Sequence, residues 1–346
     1  MSKVVANVIL TCALILAALP LRGAELGSTR VLILQHPHAT QAFTPQKEPI
    51  HEMIESGIQR FTGKSNSSAG WQSLITTQDI VGIKVHSTPG RTSGTRAIVV
   101  GSLIESLLKA GVPPSRIVVW DRRMVDLQLA GYSELAEKYK VGLAGALDEG
   151  FDAKTFYSTP LLGKLVYGDL EFGKKGEGMG RNSYVSKLLT QRITKIVNVT
   201  PLLNHNQAGV SGALYGLAMG SIDNVLRFED PDRLGTAVPE IYALPEIADR
   251  VVLNIVDALI CQYRGEERGY LHYSTALNEL WFSKDPVAVD ALAIQVLDQN
   301  REEQKSRKSA LQIYSNAELM ELGVADTNRI RIERIRLGET NRAGLN

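Results

Sequence analysis

Short β-branched runs alternate with stretches of helical periodicity along most of this 346-residue chain, which predicts an α/β fold with a mostly parallel sheet flanked by helices. The runs that read as strands are 29–34, 80–85, 116–120, 193–199, 250–256, 277–282 and 329–337. Between them, Ile50, Met53, Ile54, Ile58 and Phe61 recur at helical spacing, as do Ile98, Leu103, Leu107 and Leu108. Pro201 is expected to stop the strand at 193–199 and open a polar loop ahead of a Gly- and Ala-rich helix. In the last run, Ile330, Ile332, Ile335 and Leu337 alternate with Arg and Glu, the pattern of a half-exposed edge strand that its charges protect from further pairing.

The alternation breaks at 151–182, which reads as an insertion between two α/β halves. LGKLVYGDLEFG suggests a hairpin and GKKGEGMGRN a Gly-rich loop. The insertion is either a surface lobe or, through Lys174, Lys175 and Arg181, a basic lid over the strand ends. Residues 300–346 are expected to add a charged helix and the edge strand to a single domain spanning 25–346.

Residues 1–24 form a separate signal. Lys3 precedes an apolar run from Val4 to Leu21, followed by Arg22-Gly23-Ala24, the layout of a secretory signal peptide that would send the chain to the periplasm or outside the cell. Arg22 at the minus-three position fits cleavage poorly, so an uncleaved membrane anchor is the alternative. With 1–24 removed, only Cys261 remains, which leaves no cysteine pair for a disulfide or a cysteine-ligated cluster. Thirty-eight basic against thirty-seven acidic residues give a formal charge of +1, and that balance gives nucleic-acid binding no electrostatic footprint.

The candidate chemistry lies where strands end. Lys84 is one long cation in the otherwise apolar VGIKVH, and a buried lysine is costly unless it is paired or used. His86 points to the same face two residues on. The STPGRTSGTR loop then enters a helix whose amides, with Arg91 and Arg96, suit an anion, while Thr95 reads as its N-cap. Asp121 and Arg122 follow the next strand, where Asp121 can pair with Lys84, accept a proton, ligate a cation or cap a helix. Asn204, His205, Asn206, Gln207 and Ser211 supply donors and acceptors before the Gly-rich helix that leads to Asn224. Asp285-Pro286 is a helix start, with Asp290 inside its apolar face. A metal site built from His205 with His86, Asp121 or Asp257 matches no standard ligand spacing, so the metal and any cofactor stay open. His36 and His38 read as loop residues whose rings Pro37 sends apart.

Four segments in this order, DIVGIKVH, LLKAGVPPSRIVVWDR with AGY, SKLLTQRITKIVNVTPLLNHNQAGVSGAL with GSIDN, and SKDPVAVDA, resemble the DUF362 family, named for its unknown function. The resemblance runs from about Asp79 to Leu297. It matches at Lys84, Asp121, Arg122, His205, Asn206, Asn224, Asp285 and Asp290. It departs where the family pattern has Asn for His86, a Lys-Asp-His near Asn204-His205, and Lys-Asn for Tyr215-Gly216. The chain is thus identified as a divergent, secreted member that lacks two family cations. Some members carry a ferredoxin-like iron–sulfur domain, but this chain has no ferredoxin-type cysteines and no such cluster is expected in it.

The resulting expectation is a protein that binds a small anionic ligand in a cleft at the strand ends, with Lys84, Asp121 and His205 as candidates for acid/base chemistry. His86, Arg91, Arg122, Asn204, Asn206, Ser211, Asn224, Asp285 and Asp290 are the candidate ligand contacts. The alternatives are a non-catalytic metabolite- or metal-binding protein and an accessory partner of an envelope redox complex.

Overall fold

The computed structural model describes residues 29–228, 230–301 and 308–338. The segment read as a signal peptide, with Cys12, lies outside the described residues, as do 302–307 of the expected C-terminal helix.

A nine-stranded mixed sheet carries the fold. From one edge its main strands run Ile330–Arg336, Thr29–Gln35, Ser274–Ser283, Val251–Gln262, Lys195–His205, Val81–Lys84, Ile117–Asp121 and Gly142–Gly145. Of these eight, Ser274–Ser283 alone runs antiparallel to its neighbours. The charged strand at 330–336 is an edge, parallel to Thr29–Gln35.

Because strand side chains alternate between faces, each strand divides its apolar residues between two cores. Leu32, Leu34, Val197, Val199 and Phe282 pack into one core with helices Lys47–Thr62, Ser67–Leu74 and Ala97–Lys109. Val31, Ile33, Ile196, Val256 and Trp281 pack into the other with helices Ala213–Ser221, Pro231–Tyr242, Pro286–Gln299 and Lys308–Leu319. Ile83 belongs to the first core, so its neighbour Lys84 projects onto the opposite face, toward the helix Ala213–Ser221.

Three local expectations are corrected. Pro201 does not end its strand, which continues to His205. The ladder to Val81–Lys84 closes at the Lys84–Asn198 pair, so the N–H that proline lacks is not required on that side. The hairpin of the insertion is not LGKLVYGDLEFG, which holds turns. It is formed by Phe151–Ser158 with Asn182–Ser186, a separate two-stranded sheet. The rings of His36 and His38 do not diverge but meet edge to face at 5.9 Å, with the His38 amide donating to His36 Nδ1. The short strand Gly142–Gly145, GLAG, has no counterpart among the sequence-derived strands.

Candidate functional site

Strands Val81–Lys84 and Ile117–Asp121 end side by side and the parallel Lys195–His205 runs on beyond them, with helix Ala213–Ser221 lying across their shared face. Lys84 is buried at 2% exposure, and its Nζ donates to Asp121 Oδ1 at 2.8 Å and to the Val85 carbonyl at 2.6 Å. The ammonium also sits 5.5 Å from the centroid of the Trp120 ring, within cation–π range. The second carboxylate oxygen of Asp121 accepts the Ser87 amide at 2.7 Å and the Ser87 hydroxyl at 2.6 Å. The Lys84 charge and these bonds outweigh burial and hold the Asp121 carboxyl down at about 2. Of the roles open to Asp121, pairing with Lys84 is realised. The following helix Met124–Leu129 takes its cap elsewhere, from Asp148, whose Oδ2 accepts the Met124 amide.

Over this pair opens a cleft of ≈ 220 Å³. His86, Thr88, Asp121, Arg122, Gln207 and Glu267 line its polar end. His86 Nε2 is buried and makes no hydrogen bond; its nearest carboxylate oxygen, on Glu267, is 3.9 Å away. Burial is the main reason that the His86 imidazole is pushed down to about 4, with the positive charge of Lys84 acting in the same direction and Asp121 against it. The ring is therefore neutral at pH 7. Arg122 Nη1 donates to the Met219 carbonyl at 2.9 Å and the Ile222 carbonyl at 2.6 Å, closing the C-terminal end of helix Ala213–Ser221 with a positive charge. Among the described residues no carboxylate forms a salt bridge to it.

The two helix N-termini that the sequence offers to a ligand are filled by the protein's own carboxylates. At the first, Asp257 accepts the Arg96 amide at 3.0 Å and pairs with Arg96 Nη1 at 2.9 Å, both side chains being buried. Thr95 is not the N-cap, which is Arg96; the Thr95 hydroxyl links the His86 amide to the Val199 carbonyl instead. At the second, Asp290 accepts the amides of Ala213 at 2.6 Å and Leu214 at 2.9 Å. Asp290 is wholly buried, and burial raises its carboxyl to about 7 against those two bonds.

Several sequence candidates therefore lie apart from the cleft. Asp290 holds the far end of helix Ala213–Ser221, about 13 Å of helix from the Lys84 end. Asp285 caps its own helix through the Ala288 amide and also receives the Val324 amide. Arg91 is exposed and pairs with Glu134 at 2.9 Å. Asn224, at φ 46°, latches the insertion: its Nδ2 donates to the carbonyls of Gly180 and Asn182, and its amide to Asp169. Ser211 is buried with an unpartnered hydroxyl. Asn204 Oδ1 accepts the Glu266 amide and the Asn206 amide donates to the Glu266 carboxylate, so both secure the loop that carries Glu267. His205 Nδ1 accepts the Ala208 amide at 3.0 Å, its ring lies 4.3 Å from the Tyr215 ring, and burial lowers its pKa. Lys84, His86, Asp121 and Arg122 are the candidates that the fold brings together, with His205 behind Tyr215 at the margin.

Sequence reasoning missed the apolar end, formed by Met219, Val225, Leu226, Phe228 and Leu234, and the rim residue Glu267. Met219 lies on helix Ala213–Ser221, and the others come from a one-turn helix at 225–228, helix Pro231–Tyr242 and a loop between antiparallel strands, which no local motif links. Among the described residues, no three His, Cys, Asp or Glu side chains are placed to hold a metal ion.

A mostly parallel α/β sheet with a buried Lys–Asp pair under a strand-end cleft is the class of protein that this geometry defines. The chain belongs to the DUF362 family, a domain of unknown function, whose profile matches residues 81–295. That span holds Lys84, His86, Asp121, Arg122 and every other residue that lines the cleft. No curated protein matches the chain. A crystal structure of a protein from Thermotoga maritima, a structural-genomics target, is similar at 15% identity and a TM-score of 0.36, over 60% of this chain and 50% of that one. The chain thus spans half the length of that protein.

Proposed function

We propose that the protein binds a small anionic molecule in the cleft at the strand ends, with Arg122 facing its charge and His86 contacting it through Nε2. One observation carries this reading: a buried imidazole nitrogen without a partner at the wall of a cleft is a polar group whose satisfaction a ligand would supply. The Lys84–Asp121 pair beneath has its hydrogen bonds made within the protein, so its part is to position Ser87 at the floor of the cleft. A thermal-shift screen of small acids on the purified protein tests this. Stabilisation that His86→Gln and Arg122→Gln each weaken supports it, and identical shifts in both variants would overturn it.

Acid/base turnover is the second reading, and the same nitrogen favours it. A neutral imidazole can take a proton from a bound acid, although one held near pKa 4 is a weak base at neutral pH. Turnover that rises through the His86 titration and loses that limb in His86→Gln would place the proton transfer there.

Export to the periplasm, argued from residues 1–24, belongs to the same proposal. It predicts recovery from the periplasmic fraction with a new N-terminus near residue 25.

A further inference from the structure

The cleft has two chemically distinct ends, and together they define more of the ligand than its charge. At the sheet end stand the neutral His86, the hydroxyl of Thr88 and the guanidinium of Arg122. At the other end, the turn Val225–Phe228 supplies Val225, Leu226 and Phe228, and helix Pro231–Tyr242 supplies Leu234. Tyr215, Gly216, Met219 and Gly220 join the two. Residues 215 and 219 and residues 216 and 220 are each one helical turn apart, so they form one continuous face of helix Ala213–Ser221.

The charge available is small. Lys84 is neutralised by Asp121, and Arg96, buried nearby, by Asp257. Arg122 closes a helix C-terminus, whose dipole offsets part of its charge, and Glu267 stands at the rim. A dianion such as a phosphate monoester would meet one partly offset cation and one carboxylate. A monoanion asks less of Arg122 and meets less repulsion from Glu267 than a dianion does. The volume of ≈ 220 Å³ suits a compact molecule and not a dinucleotide.

We infer that the ligand is a compact monocarboxylic acid with an apolar body, its carboxylate at Arg122 and His86 and its hydrocarbon against Leu226, Phe228 and Leu234. This inference rests on the proposed anion-binding reading of the same cleft and specifies its ligand class.

The test is calorimetric titration of the purified protein with straight-chain carboxylates from acetate to octanoate, 3-phenylpropionate, hexanamide and inorganic phosphate. The expected result is affinity that rises about threefold to fourfold per added methylene until the apolar end is full, then falls. Hexanamide is expected to bind at least tenfold more weakly than hexanoate, and phosphate more weakly than both. In Leu226→Trp, which fills the apolar end from a half-buried position, the ratio of hexanoate to acetate affinity is expected to fall close to one. Leu226→Asp, a smaller change at the same site, is expected to lower the ratio as well. Carboxylates that bind with no dependence on chain length, or phosphate that binds more tightly than hexanoate, would overturn the ligand class and leave the anion-binding reading standing. No binding by any anion in the series would overturn both.

Discussion

The Lys84 ammonium lies 2.8 Å from Asp121 Oδ1, and both side chains are at most 5% exposed. A pair so buried derives its importance less from its own attraction than from what remains if half of it is removed, because an unpaired interior charge costs about 3–5 kcal/mol. Lys84→Met and Asp121→Asn are each expected to destabilise the protein by about that amount in urea unfolding. The double variant is expected to recover part of the loss, and strictly additive losses would show that the two residues are not coupled. Asp121, depressed to about 2, contributes stability that is complete above its unfolded value near 4 and is lost as pH falls through 2.

Gly220 is what allows Lys84 to lie against its helix. A Cβ on residue 220 would stand 2.7 Å from Lys84 Cε and 3.1 Å from Nζ, too close without displacing the lysine from Asp121. Gly220→Ala gains helix propensity of about 1 kcal/mol, yet a net loss of about 1–3 kcal/mol is expected because overpacking dominates. Thermal unfolding of the variant reads the sign directly. Should it prove more stable than the parent, Lys84 has room that the geometry denies it.

The alternation of β-branched runs located seven of the eight main strands because buried parallel strands are made of such residues. Gly142–Gly145 escaped because GLAG has no β-branched residue and is ordered by pairing with Ile117–Asp121. The Lys84–Asp121 pairing was legible too, since a cation in an apolar strand demands a partner and an acid at the next strand end can supply it. What sequence could not show is capping between distant elements. Asp257 and Asp290 reach helix starts 161 and 77 residues away, and so the N-termini that looked open to ligand anions are filled. The cleft's apolar wall was hidden for the same reason, its residues being united by packing alone.

Cys261 is fully buried, and burial pushes its thiol up to about 12. Thiol reagents react with thiolate, so protein lacking residues 1–24 is expected to show no titratable thiol while folded and one per chain in guanidinium. Native-state labelling is expected to be slower by on the order of 10³-fold or more, following global unfolding. Labelling at the rate of a free peptide would mean that the strand Val251–Gln262 opens locally.

His86 and Asp290 impose opposite pH dependences on stability in overlapping windows. His86 is held down at about 4 in the folded protein against 6.5 unfolded, so between those values the unfolded chain binds more protons and stability rises with pH. Asp290 is held up at about 7 against 3.8 unfolded, so from about pH 4 to 7 the folded chain binds more protons and stability falls with pH. Asp223, held up at about 6, adds a second limb that falls with pH below that value, so each group is read from the difference between variant and parent. Relative to the parent, His86→Gln is expected to lose a limb that rises from pH 4 to 6.5, and Asp290→Asn a limb that falls from pH 4 to 7. The rising limb amounts to about 3 kcal/mol, from 1.36 kcal/mol for each tenfold change in proton affinity. Urea midpoints measured at half-unit steps resolve a limb of that size, and profiles of the same slope in both variants would contradict the two assignments together.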